Sequence, residues 1–255
     1  MAHSVILSPV SPKGGRHGQR SRHLAIEDRG SAHQVESLTA SADFQALENG
    51  SAPLDQYDEF IENVVRAHVR SPQLLAFLYA LAPPAAAADL QHNLLEELGF
   101  EEESARPHPD LLRDLLAGAG LGCRLPILEA QADEDLRRIV VDPLLFGTLR
   151  DVGLAALTEI VAFEYMLARV SGRVARMLAA HRGLPAPALE WFTHHSEVDI
   201  RHAEQGLADL EAYVRYYEFA SDEALTIVEM TLRENVFARR YFRDFVAASA
   251  VGGRR

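Results

Sequence analysis

The sequence predicts an all-α bundle, and three observations predict it. From Pro53 onward apolar residues recur at three- and four-residue spacing. Prolines, glycines and small polar residues punctuate these stretches as caps and breaks do. No stretch alternates apolar and polar residues as a half-buried strand would. Hydrophobic residues make up 48% of the 255-residue chain, enough to fill a sizeable core.

The elements follow in order. Over residues 54–69, Leu54, Tyr57, Phe60, Ile61, Val64, Val65 and Val69 form one helical stripe. Ser71-Pro72 reads as an N-cap followed by proline at the first helical position, opening a helix over 73–82 that stops at Pro83-Pro84. Helices over 85–100 and 110–121 follow, the second ending near Gly120 and Gly122. Residues 126–141 predict one or two short helices. Asp142-Pro143 then opens a long stretch over 143–181, apolar on nearly every face with a break at Gly153, as expected of a helix central to a bundle. Helices over 188–219 and 222–247 complete the pattern. Residues 1–50 are rich in Ser, His, Gly and Pro, with a basic run from Lys13 to Arg22, and predict a disordered tail ahead of a single domain over 51–255.

Composition narrows the function. A net charge of −12 argues against nucleic acid and membrane surfaces as partners, and leaves a small-molecule substrate. No apolar run approaches the roughly 18 residues that a membrane span needs. The single cysteine, Cys123, forms no internal disulfide and excludes a four-cysteine zinc site, which fits a cytoplasmic location. Assembly as a homodimer is left open.

The chemistry concentrates in residues 190–204. His195, Asp199 and His202 stand at i, i+4 and i+7, which spans roughly 60° of one helix face at about 100° per residue. Two imidazoles and a carboxylate on an otherwise apolar or small face are costly to bury unless something compensates them, and one divalent metal compensates all three. Mixed His and carboxylate donors favour iron or manganese, with zinc next. The alternative is a solvated polar face. His194 points about 100° away from His195 and reads as an outer residue.

Two further clues are weaker. Glu159 and Glu164 lie inside an apolar helix and must be paired, protonated or metal-bound. They sit about 140° apart on that helix and should not both face one site. Arg169 and Arg173 are the alternative partners. Glu97 ends one helix in Glu-Glu-Leu-Gly and His108 opens the next in His-Pro-Asp-Leu-Leu, where a surface capping role for His108 is the alternative. Three carboxylates and three imidazoles from several helices are the inventory of a two-metal carboxylate site in a bundle core. The twice-repeated Glu-x-x-His pattern of ferritin-like proteins is missing.

The order Glu-Leu-Gly, His-Pro-x-Leu-Leu, Gly-x-x-Ala-Leu-x-Glu, His-x-x-x-Asp-x-x-His resembles the haem-oxygenase-like di-iron oxidases and oxygenases, the iron-containing redox enzymes, over about residues 53–247. The resemblance implies a haem-oxygenase-like bundle of about seven helices. It implies metal ligands Glu97, His108, Glu159, His195, Asp199 and His202, with Glu164 and Glu96 as additional candidates. It implies two Fe(II) per chain, O2 as co-substrate, and oxidation of a small molecule such as an amino acid or amine by N-oxygenation, C–C cleavage or desaturation in specialised metabolite biosynthesis. The acidic run Glu101-Glu102-Glu103 departs from the Gly-rich loop expected after Glu-Leu-Gly. Phe163, Met166 and Trp191 are candidates for the substrate pocket, with plain core packing as the alternative. Tyr213, Tyr216, Tyr217 and Tyr241 are unranked candidates for hydrogen bonding or radical transfer. Two rivals stay open. One is a metal-free thiaminase-like or quinone-cofactor-synthase-like enzyme of the same fold, the former needing a pocket cysteine. The other is a non-enzymatic metal- or haem-binding protein with His68 as axial ligand.

Overall fold

A computed structural model describes residues 22–100, 106–234 and 241–242, with the side chains at 22–24, 26, 197–204 and 234 left aside. Among the described residues there are ten α-helices and no strand. They are α1 (Arg22–Ala40), α2 (Ala42–Asn49), α3 (Leu54–His68), α4 (Ser71–Ala80), α5 (Ala87–Glu97), α6 (His108–Gly118), α7 (Leu125–Leu136), α8 (Leu149–Met177), α9 (Glu190–Tyr216) and α10 (Ser221–Glu234).

The predicted tail is corrected in part. Residues 22–49 form α1 and α2, and α1 lies against α8 and α10. The segment has little intrinsic helical pattern, and packing supplies what propensity does not. Glu27, Leu38, Phe44 and Leu47 are buried. The Ser41 hydroxyl accepts from the Phe44 N–H at the start of α2, and Gly50 closes its end in the left-handed conformation (φ 80°). The expectation for residues 1–21 lies outside the described residues.

Two other boundaries differ from the sequence reading. Asp142-Pro143 opens only a short 3-10 turn, and α8 starts at Leu149 because Thr148 and Asp151 form a capping box. Gly153 does not break α8. It lets α9 approach, since a Cβ there would overlap the Tyr213 hydroxyl. Gly206 does the same from the other side, where a Cβ would sit 2.8 Å from Val161. α8 and α9 form the most extensive helix pair, and α8 is buried along most of its length. No described helix is long and apolar enough to cross a membrane.

Candidate metal centre

A narrow cleft, partly open to solvent and with free room of only about 30 Å³, lies between α4, α5, α6, α8 and α9. Glu97 reaches it from the last residue of α5 and His108 from the first residue of α6. The turn between them explains the Glu-Leu-Gly motif. The Gly99 N–H donates to the Glu96 carbonyl (2.8 Å) and the Phe100 N–H to the Leu95 carbonyl (2.9 Å), the pattern of a helix ending on a left-handed glycine. Gly99 has φ 74°, and a Cβ there would lie 2.6 Å from the carbonyl carbon of Arg106. Only glycine lets the chain fold back this tightly, which sets His108 Nδ1 3.0 Å from Glu97 Oε1.

His195 enters from α9. Its Nδ1 lies 2.6 Å from the Trp191 carbonyl one turn earlier. A carbonyl only accepts, so Nδ1 carries the proton and Nε2 keeps its lone pair. Burial holds the His195 imidazole down to about 3, with His108 nearby acting the same way, so the ring is neutral. Burial alone would raise Glu97, but the neighbouring His108 overrides it, with help from the Ser71 hydroxyl, and the carboxyl falls to about 2. An ionised carboxylate and a neutral imidazole are the forms that a metal ion binds.

One donor atom each from Glu97, His108 and His195 lie within 4.8 Å of one another. Three donors bonded to one ion at roughly 2.0–2.2 Å lie within about 4.4 Å of each other, so small side-chain rotations complete a site. The residues fit a divalent metal: two imidazoles and one carboxylate, desolvated, with both His195 Nδ1 and Glu97 Oε2 held by partners outside the donor set.

The other expected residues fall as follows. Glu164, not Glu159, lines the cleft from α8, together with Ile160, Phe163 and Leu167. Glu159 is buried elsewhere on that helix, about 140° round from Glu164. Arg173 pairs with Glu48 (2.7 Å), and the Arg169 guanidinium lies over the Tyr165 ring, so both arginines are engaged away from the cleft. Glu96 lines the cleft with His92 Nε2 3.1 Å from its Oε1. The side chains of Asp199 and His202 lie outside the described residues; their backbone belongs to the unbroken helix α9.

Phe163 is on the cleft wall. Met166 and Trp191 are buried but off the wall, with Trp191 packed on the His195 ring at 4.3 Å between centroids. His194 is a correction. It lines the cleft and packs edge-on against His108 (4.9 Å), so two neighbouring positions of α9 contribute to the lining. Asn93 and Ser71 were missed. The spacing of Asn93, Glu96 and Glu97 at i, i+3 and i+4 carried the signal for the first. Ser71 is the first residue of α4, capped by no side-chain bond, and donates instead to Glu97 Oε2 at 2.6 Å. Cys123 is exposed and off the cleft, which removes the pocket thiol of the thiaminase-like rival. His68 is buried with Nε2 2.6 Å from the Tyr241 hydroxyl, a partner that an axial haem ligand would have to release.

Fold and site together are those of an all-helical bundle carrying a carboxylate–imidazole cluster that could hold a metal ion. The family model for iron-containing redox enzymes matches residues 58–234, and the chain belongs to that family. No curated protein matches the sequence.

Proposed function

We propose that this protein is a non-haem di-iron oxidase or oxygenase that uses O2 to oxidise a small molecule such as an amino acid or amine in the cytoplasm. N-oxygenation, oxidative C–C cleavage and desaturation are the reactions in view, in specialised metabolite biosynthesis. The observation that carries the reading is the convergence of Glu97, His108 and His195 at the cleft, in a member of an iron-containing family. These three hold one iron. The second falls to Asp199 and His202 with Glu164, which lines the same cleft. Helical register supports this: positions 195, 199 and 202 of α9 fall within roughly 60° of one another round the helix, so the second set of donors follows the first along one side.

Bound iron(II) supplies electrons for the reduction of dioxygen. The chain's residues do the rest. The Trp191 carbonyl fixes the His195 tautomer, and Ser71 fixes the Glu97 carboxylate. Leu75, Ile160, Phe163 and Leu167 form an apolar wall that limits water. Asn93 and Glu96 stand on the same cleft and orient polar groups of a substrate.

Anaerobic Fe(II) loading followed by iron counting tests the reading, with stopped-flow absorbance after O2 addition. Two irons per chain and an O2-dependent absorbance change are expected, with His195→Ala and Glu97→Ala losing iron. Fewer than one iron per chain, or no response to O2, overturns it.

A further inference from the structure

Buried aromatic rings run outward from His195 in unbroken contact. The His195 and Trp191 ring centroids are 4.3 Å apart, Trp191 and His68 4.8 Å, and His68 and Tyr241 5.5 Å. All four side chains are at least nine-tenths buried. Phe163 stacks on His68 at 4.2 Å and closes the inner side of this path, while Phe60 packs against Tyr241 at 5.7 Å on the outer side.

The hydroxyl partners separate Tyr241 from the other buried or half-buried tyrosines. Tyr57, Tyr213 and Tyr217 donate to backbone carbonyls, those of Leu47 (2.6 Å), Arg150 (3.2 Å) and Leu81 (2.9 Å). A carbonyl takes no proton. Tyr241 faces the Nε2 of His68 at 2.6 Å, within the reach that proton transfer needs. A phenol that loses an electron becomes strongly acidic, so a base at that distance makes the electron available. Trp191 and Tyr241 are the two oxidisable side chains on the path, and the one with a base is at the far end.

We infer that Trp191, His68 and Tyr241 form a relay that discharges the iron centre when it has been oxidised by dioxygen and no substrate is there to reduce it. The inference rests on the proposed iron site. Tyr241 gives one electron through Trp191 to the oxidised centre, which is reduced by one electron. Its hydroxyl proton moves to His68 Nε2. The products are a neutral tyrosyl radical and a His68 imidazolium, so charge and atoms balance. The iron is spared a reaction with its own ligands.

The test uses the full chain loaded with Fe(II) without oxygen, then mixed with O2 in the absence of substrate and frozen for electron paramagnetic resonance. A tyrosyl radical signal is expected. Tyr241→Phe, which removes only the hydroxyl, should abolish it and increase oxygenated Trp191 in peptide mass spectra. His68→Gln should lower the radical yield while leaving the iron count unchanged. Circular dichroism and the iron count show that the variants are folded and loaded. A loaded, O2-oxidised protein with no radical, or a Tyr241→Phe variant with the same radical and the same Trp191 oxidation, overturns the relay. Failure to bind iron or to respond to O2 overturns the proposed function instead, so the two failures read differently.

Discussion

Replacing Ser71 with alanine isolates how the Glu97 ligand is held. The Ser71 hydroxyl donates to Glu97 Oε2 at 2.6 Å, while the other oxygen lies 3.0 Å from His108 Nδ1. A hydrogen bond to a charged group contributes about 1.5–3 kcal/mol. Losing the outer partner of a metal ligand typically costs 10–100-fold in metal affinity, which is about 1.4–2.7 kcal/mol. The two figures agree, so Ser71→Ala should weaken metal binding by about one to two orders of magnitude. Removing the donor raises the Glu97 carboxyl from its low value near 2, but not to neutrality. The loss therefore reflects orientation and not protonation, and should be the same from about pH 6 to about pH 8. Anaerobic titration with Mn(II) or Fe(II), followed by calorimetry, measures it. Ser71→Thr keeps a hydroxyl and should retain most of the affinity. An alanine variant within twofold of the parent, or a threonine variant as weak as alanine, refutes the reasoning.

Three other outcomes are expected. Trp191 is the single tryptophan and packs on His195, so binding of a paramagnetic divalent ion should quench its fluorescence in the parent and not in His195→Ala; equal quenching in both would place the ion elsewhere. Gly153→Ala puts a methyl into the Tyr213 hydroxyl, and overpacking of about 1–3 kcal/mol should exceed the roughly 1 kcal/mol gained in helix propensity, lowering the Tm; a higher Tm refutes the close approach. Glu27 is fully buried, and burial raises its carboxyl to about 8 from 4.5. The folded state thus holds a proton that the unfolded state releases, so stability is fully present below about pH 4.5 and falls as pH rises towards 8, by on the order of 4 kcal/mol. Glu27→Gln mimics the protonated acid and keeps an oxygen for the Ser31 hydroxyl, so its Tm should exceed the parent's at pH 8 and match it at pH 4. Parallel Tm curves across that range would rule this out.

The sequence made some of this legible for clear reasons. His195 could be found because a helix face is a local property, readable from i, i+4 and i+7 spacing. Glu97 and His108 were readable from the Glu-Leu-Gly and His-Pro order, and Gly99 gives that order its physical cause. Helices α1 and α2 were missed because their apolar residues are sparse, although Ser41 and Asn49-Gly50 carried cap signals. Ser71 was misplaced because a serine before proline has the composition of a cap, whereas its hydroxyl is spent on a residue 26 positions away.

The choice between Glu159 and Glu164 is different in kind, because it depends on how α8 is rotated against its neighbours. Periodicity gives the angle between two side chains, about 140°, and not which one meets the site. The rotation is set where α8 and α9 come closest, at Gly153 against Tyr213 and at Val161 against Gly206. Glu164 lies eleven residues from Gly153, about 20° round the helix, and three from Val161, about 60° round. It is therefore carried on the side that closes against α9, next to the cleft that receives His195. Glu159 lies about 120° from Gly153 and 160° from Val161, turned away from that pairing. The deciding signal was in the sequence after all, in two glycines whose missing side chains fix the rotation. It became usable only once each glycine had a partner across the interface.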